Sequence, residues 1–147
     1  MIIINMEKEH LSGVLKVEES CFTHPWSKES FESELSKSES FKFVALEKDE
    51  VVGFAILDIV LDEGNLLDIA VDEKHRRKGV AKKLFEKMLE KAQEKDLSFI
   101  TLEVRSSSAP AISLYEAMGF ERVGVRKNYY SRPTEDALLM TKYFKKD

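Results

Sequence analysis

Between residues 66 and 92 the chain changes from one hydrophobic pattern to another, and that change restricts what it can fold into. Leu66, Leu67, Ile69, Ala70 and Val71 make a short apolar run of strand type. A polar loop, 72–78, follows and ends at Gly79. Beyond it Val80, Ala81, Leu84, Phe85, Met88, Leu89 and Ala92 recur at i, i+1, i+4 and i+5, which places them on one face of a helix. A helix with a single apolar face, entered directly from a strand, calls for a sheet to bury that face.

The rest of the chain supplies the sheet. Three Ile near the start predict a strand over 1–5, and the Leu11, Val14, Leu15, Glu18 stripe predicts a helix over 7–22. His24-Pro25-Trp26 breaks that helix, and Ser27 is placed to cap a second one reaching Leu35. Strands are predicted over 41–47 and 51–61, joined by the polar turn Lys48-Asp49-Glu50, and again over 66–71. An apolar strand over 99–104 precedes a helix capped within 106–108, with Pro110 in its first turn and Gly119 at its stop. Two last strands, 121–126 and 137–143, flank a loop containing Tyr129 and Tyr130. The order β-α-α-β-β-β-α-β-α-β-β is a mixed α/β sheet, neither a doubly wound dinucleotide fold nor a barrel.

Composition narrows the function. At 147 residues with 43% hydrophobic content, residues 1–147 are expected to form one domain with a real core. Lys and Arg number 23 against 27 Asp and Glu, and this slightly acidic balance argues against nucleic acid as the main partner. No run approaches the ~18 apolar residues of a membrane span, and the first residues carry no secretion signal. Cys21 is the single cysteine, so no internal disulfide forms and a cytoplasmic location is expected. His10, His24 and His75 lie far apart and offer no metal-ligand spacing, so no metal is expected.

The informative stretch is Arg76-Arg77-Lys78-Gly79-Val80-Ala81-Lys82, the start of the helix after strand 66–71. The first backbone N–H groups of a helix lack intrahelical acceptors, and its dipole adds partial positive charge. A phosphate satisfies both, with Gly79 and Ala81 leaving room for it to approach. A solvated basic helix start would present the same residues. The Walker and Gly-x-Gly-x-x-Gly patterns are both absent.

Arg76 to Ala81 matches Gln/Arg-x-x-Gly-x-Gly/Ala, and here the chain resembles the GNAT superfamily of acetyl-CoA-dependent N-acetyltransferases. Further segments are similar to its RimI-type branch, which acetylates the N-terminal alanine of a ribosomal protein. They are His24-Pro25-Trp26-Ser27, Leu102-Glu103-Val104-Arg105-Ser106, Ala111-Ile112-Ser113-Leu114-Tyr115-Glu116, Gly119-Phe120, Asn128-Tyr129-Tyr130 and Glu135-Asp136-Ala137. The resemblance implies a mostly antiparallel central sheet of about seven strands flanked by about four helices. It implies acetyl-CoA as co-substrate. Its pantetheine arm would lie along the backbone of Ile69, Ala70 and Val71, and its pyrophosphate on the amides of Arg77, Lys78, Gly79, Val80, Ala81 and Lys82. Ser108 stands where this branch usually has a cofactor-contacting Asn; it could keep that contact or serve only as the helix cap.

The chemistry is amine attack on a thioester. A free α-amino group, pKa near 8, is roughly one-tenth neutral at pH 7, whereas a lysine near 10.4 is neutral at only about 0.04%. A carboxylate base suffices for the former. Glu103 interrupts an apolar strand, where a carboxylate needs a reason, although strict alternation could simply turn it to water. The resemblance makes it the base. Tyr115 lies on a helical stripe with Ile112 and Met118, a pattern that core tyrosines also give; the resemblance makes it the acid that protonates the departing thiolate. Cys21, on an apolar stripe with no adjacent base, reads as a structural thiol, so transfer is expected to be direct. Tyr129 and Tyr130 could wall a groove for a peptide N-terminus or pack on their own strands. Asp62, Glu63, Glu135 and Asp136 could meet a basic peptide arm, as on a ribosomal protein. A monomer or weak dimer is expected. Alternatives are a broader N-terminal, lysine or small-amine acetyltransferase, and a catalytically silent acyl-CoA-binding module.

Overall fold

Two tight turns align the central strands. Lys48 and Asp49 both take positive φ, 51° and 66°, the twist that a two-residue hairpin prefers. They join β2 (Ser40–Glu47) to β3 (Glu50–Val60). Leu61, at φ 57°, then turns β3 into β4 (Glu63–Val71). The computed structural model describes residues 1–144. Before these strands come β1 (Ile2–Asn5), a short 3-10 turn (Lys8–His10), α1 (Leu11–Cys21) and α2 (Lys28–Leu35). After them come α3 (Val80–Glu94), β5 (Phe99–Arg105), α4 (Ala109–Ala117), β6 (Glu121–Tyr130) and β7 (Glu135–Tyr143).

The seven strands form one sheet in the order β1-β2-β3-β4-β5-β7-β6, mixed as the element order predicts and mostly antiparallel as the family resemblance implies. Its one parallel pair is β4 with β5. That pairing covers only Glu63, Asn65 and the residue between, against Phe99 to Thr101. Beyond Asn65 the two strands part, and the outer backbone edge of β4 from Leu66 to Val71 has no strand neighbour on that side. A bulge sits at the parting point. Ile56 opposes Asp68 and Leu57 opposes Leu66, so Leu67 is the extra residue, which bends the strand where the gap opens.

Two apolar layers cover the sheet. On one face α3 and α4 bring Leu84, Phe85, Met88 and Ile112 against Phe43, Ala55, Leu57, Leu102 and Val104. On the other, α1 and α2 bring Val14, Val17 and Phe31 against Val44, Phe54 and Ile56, with the Phe31 and Phe54 rings edge to face at 5.6 Å. Ser27 caps α2 as its sequence indicates, its Oγ accepting from Ser30 N at 3.2 Å. Gly119 ends the α4 segment at φ 95°.

The structure departs from two sequence expectations. The helix predicted over 7–22 is shorter, with residues 8–10 in a 3-10 turn before α1. Tyr129 and Tyr130 are not in a loop: β6 continues to Tyr130, and the connection is 131–134. The strand survives the polar stretch because it bulges. Arg126 pairs with Ala137 and Tyr130 with Glu135, and the slack is taken up at Asn128, φ 53°. The Asn128 N–H donates to Asp136 Oδ1 at 2.9 Å, a side-chain anchor that a local reading of β6 does not contain.

Candidate active site

The loop into α3 is built to present backbone N–H groups. Arg77 and Gly79 both adopt left-handed φ, 66° and 79°, bracketing Lys78. The first helical hydrogen bond runs from Lys83 N to Gly79 O at 3.1 Å. The N–H groups of Val80, Ala81 and Lys82 therefore have no intrahelical acceptor and point out of the helix start, a geometry that suits an anion. A Cβ at Gly79 would meet nothing within 4 Å. Within the protein, glycine is needed there for its left-handed backbone, and the open space in front of it is compatible with a phosphate approaching the loop.

The open edge of β4 lies beside this loop. Asp72 N donates to Val52 O at 2.8 Å, so the antiparallel alternation turns Ala70 toward β3 and turns the backbone groups of Ile69 and Val71 outward, to the gap. Val71 O is engaged there by Arg76 Nε at 3.2 Å and by the Cys21 thiol at 3.4 Å. The same thiol accepts from Arg76 Nη2 at 3.3 Å. Cys21 is thus half-buried and tethered to the phosphate-type loop. Of the three residues expected along a pantetheine arm, Ile69 offers its outward C=O and Val71 its N–H, and Ala70 sets their spacing.

Glu103 lies on the opposite face from the α3–α4 core, since its neighbours Leu102 and Val104 are buried in that core. Alternation does turn it outward, but not into bulk water alone. Arg126 Nη1 is 3.5 Å from its Oε1. The Tyr129 hydroxyl donates to it, and this bond, with partial burial second, holds the Tyr129 phenol above its usual range. The Arg126 guanidinium also stacks 5.0 Å from the Tyr129 ring centre. Carboxylate, guanidinium and phenol thereby form one cluster that spans from β5 to β6 across β7.

Tyr115 is packed from the other face, its ring edge-on to Phe85 at 5.6 Å and to Phe120 at 6.1 Å. Burial pushes its hydroxyl up to about 12, with the nearby Asp68 carboxyl and Tyr130 adding to the effect. Tyr130, also pushed up to about 12, chiefly by burial, lies under the Arg105 guanidinium at 4.5 Å. Arg105 in turn pairs with Glu135 at 3.2 Å and donates to the carbonyls of Ser131 and Pro133. Bonds from Ser107, with Arg105, hold the Glu135 carboxyl below its usual range. These contacts lash the β6–β7 connection onto the end of β5.

A strand-loop-helix anion cradle, a backbone edge opened by a three-residue parallel pairing, and a carboxylate and a phenol on the two sides of that opening are now in place. The Acetyltransferase (GNAT) family matches the chain across residues 11–120. The chain belongs to the GNAT acetyltransferase family. The [ribosomal protein bS18]-alanine N-acetyltransferase of Escherichia coli (strain K12) is 35% identical over 143 residues, 94% of each chain. A Bacillus subtilis (strain 168) protein provisionally given the same name is 38% identical over 137 residues, 92% of this chain and 91% of that one. The crystal structure of the ribosomal-protein-S18-alanine N-acetyltransferase from Escherichia coli superposes with a TM-score of 0.92 at 32% identity, covering 99% of this chain and 95% of that one.

Within this GNAT frame the protein is an N-acetyltransferase, and the family's donor is acetyl-CoA. The cradle and the β4 edge fit that donor. Ser108 takes the N-cap position of α4 but its side chain makes no capping hydrogen bond, which removes the purely structural reason for it. The four acidic residues considered for a basic peptide do not form one patch. Asp62 accepts from Ser98 Oγ at the start of β5, whereas Glu135 lies at its far end against Arg105 and Asp136 holds Asn128. Sequence reasoning missed Arg126, which reaches Glu103 only through the β6–β7–β5 pairing. It also missed Asp68 and Glu18, two buried acids on β4 and α1, although an acid inside an apolar run was the signal that singled out Glu103. A cavity of about 500 Å³ opens between α2 and the bulge, lined by Trp26, Glu29, Ser30, Ser33, Glu34 and Leu67. A larger groove, about 740 Å³, lies near β1 and the end of α2, with neither Glu103 nor the α3 loop among its walls. No helix among the described residues is long and apolar enough to cross a membrane.

Proposed function

We propose that this protein transfers the acetyl group of acetyl-CoA to the free α-amino group of a protein N-terminus, with the N-terminal alanine of ribosomal protein bS18 as its substrate, in the cytoplasm and as a monomer or weak dimer. The observation that carries the reading is Glu103, an outward carboxylate on the α1–α2 face beside the split between β4 and β5, with Tyr115 buried on the opposite side. Identities of 35% and 38% to the alanine N-acetyltransferases over nearly the whole chain support the substrate.

In this reading the pantetheine arm of acetyl-CoA lies along Ile69 to Val71, and its pyrophosphate rests on the amides of residues 77–82. The amine nitrogen attacks the thioester carbonyl carbon. A proton leaves the nitrogen for the Glu103 carboxylate, directly or through one water, as the C–N bond forms. The C–S bond breaks, and the sulfur takes the Tyr115 hydroxyl proton. A phenol at about 12 is too weak an acid to give its proton away at rest, so donation follows the charge building on sulfur. Before the next cycle Glu103 releases the proton it took to solvent and the phenolate regains one from solvent, so the two transfers cancel. Tyr129 and Arg126 hold Glu103 in place, and Tyr130 and Ser108 border the split.

The test is acetylation by acetyl-CoA of two peptides, read by mass spectrometry. One begins with free Ala followed by basic residues; the other is blocked at its N-terminus and contains lysines. Acetylation of the free-Ala peptide alone is expected. Modification of the blocked peptide overturns the N-terminal assignment in favour of lysine, and binding of acetyl-CoA with no transfer to either favours the silent acyl-CoA module.

A further inference from the structure

Glu18 and Asp68 are side chains that the proposed chemistry leaves unused. Glu18, on α1, is 1% exposed and Asp68, on β4, is 9% exposed. Four carboxyl oxygens must find donors in that space. Trp26 N donates to Glu18 Oε2 at 2.8 Å, and the Ile69 N–H serves Asp68. Glu18 Oε1 and Asp68 Oδ2 have no partner among the described residues, and the two carboxyls face each other. Two bare carboxylates facing each other in a dry site repel, and one proton between them removes the repulsion and supplies the missing hydrogen bond. The groups bearing on Asp68 are Glu18 from α1 and, across the split, Tyr115 from α4; neither is a cation. From α2, Glu34 turns away to Lys37, which is 2.8 Å distant. Burial, then the bond and charge of Glu18, hold the Asp68 carboxyl well above the usual range.

The pair joins two walls of the 500 Å³ cavity. Through Trp26 N it holds the elbow between α1 and α2. Through Asp68 it holds the bulge that projects Leu67. We propose that Glu18 and Asp68 share one proton and act together as a positioning pair that fixes the Trp26 elbow against the Leu67 bulge, and so sets the affinity of the acceptor-peptide side of the site. The kinetic part rests on the acetyl-transfer reading above; the structural part does not.

Trp26 is the only tryptophan in the chain, so its fluorescence reports the elbow without any assay of activity. Titrated upward from neutral pH toward tyrosine ionisation near 10, the wild-type protein should show an alkaline transition as the shared proton leaves and Glu18 is pushed off Trp26. Asp68→Asn and, independently, Glu18→Gln each supply a permanent N–H in place of that proton, and each should abolish the transition while keeping every tyrosine. Over the same range the wild-type KM for the free-Ala peptide should rise several-fold while the KM for acetyl-CoA stays level, and the amide variants should lose the rise. A transition that persists in both variants, or none in wild type, overturns the proposal. Acetyl transfer with a level peptide KM overturns it while leaving the acetyl-transfer reading intact. The expected Trp26 behaviour with no transfer to any peptide sinks that reading and leaves the shared proton standing.

Discussion

The two faces of the split between β4 and β5 are built from different materials. On the α3–α4 side the groups that the proposed reading sets against the donor are mostly backbone, the N–H groups of the α3 start and the outward edge of Ile69 and Val71, with the buried Tyr115 as the one titratable side chain. Apolar packing of Leu84, Phe85 and Met88 holds them rigid. On the α1–α2 side the proposed groups are titratable side chains, Glu103 with Arg126 and Tyr129, backed from behind by the buried Glu18–Asp68 pair. Backbone geometry recognises a feature common to every acyl-CoA, whereas side chains can be tuned to one acceptor. In the proposed reading the donor face is then a fixed platform that also carries the Tyr115 acid, and the acceptor face is where specificity and proton removal reside.

Breaking the acceptor face at its base gives the largest effect. Glu103→Gln removes the proton acceptor and keeps the shape, so kcat should fall by roughly 10²–10⁴-fold at neutral pH. The loss should shrink as pH rises through the amine's own pKa near 8, because the nucleophile then deprotonates itself. A pH-rate profile of kcat for both forms checks it; a loss independent of pH removes Glu103 from the base role.

Tyr115 tests the other side of the same proton account. Tyr115→Phe keeps the ring against Phe85 and Phe120, so the fold should hold while kcat falls by about 10²-fold. Acetyl-CoA affinity by calorimetry and Tm should move little. A matching collapse in either would make Tyr115 a packing residue only.

On the donor face the comparison sharpens at Gly79. Its missing Cβ leaves open space, so Gly79→Val brings no clash with the protein and acts through its left-handed backbone. The strain of holding a β-branched residue at φ 79° costs on the order of 1–3 kcal/mol. Acetyl-CoA affinity should weaken by roughly tenfold or more, with the peptide KM at saturating donor left unchanged. An unaltered donor affinity would remove the cradle from the site.

The two faces also differ in how far the sequence reveals them. The strand-loop-helix of the donor face is local, and its apolar stripe and Gly79 can be read within one stretch of chain. The split is not readable there, because it depends on how few residues of β4 and β5 pair. Glu103 stood out as an acid in an apolar strand. Asp68, between Leu67 and Ile69, gave the same signal, but its meaning depends on Glu18, which only the packing of α1 on β4 brings near. The sequence pattern assigns Tyr129 and Tyr130 to a loop, and not to β6, for a related reason. The bulge that keeps β6 going is anchored by Asp136 across the hairpin, and strand propensity does not encode a partner's side chain.

Arg126 carries the smallest expected effect and separates holding from catalysis on the acceptor face. Its guanidinium lies 3.5 Å from Glu103 and 5.0 Å from the Tyr129 ring centre, yet it is more than half exposed, at 54% of its side chain. Solvent screens an ion pair of that kind, leaving it about 0–1 kcal/mol, and an exposed cation–π contact adds about 0.5–1 kcal/mol. Arg126→Gln should therefore slow turnover by only about 2–10-fold, and raised salt should mimic part of the loss in the wild-type protein by weakening the same pair. Arg126→Lys keeps the charge but loses the flat stack on Tyr129, so it should recover the salt sensitivity and only part of the rate. Steady-state kinetics of the three forms at low and high salt decide the matter. A loss approaching that of Glu103→Gln would mean that Arg126 itself takes part in the proton transfer, and the acceptor face would then have two chemical groups where the present geometry assigns one.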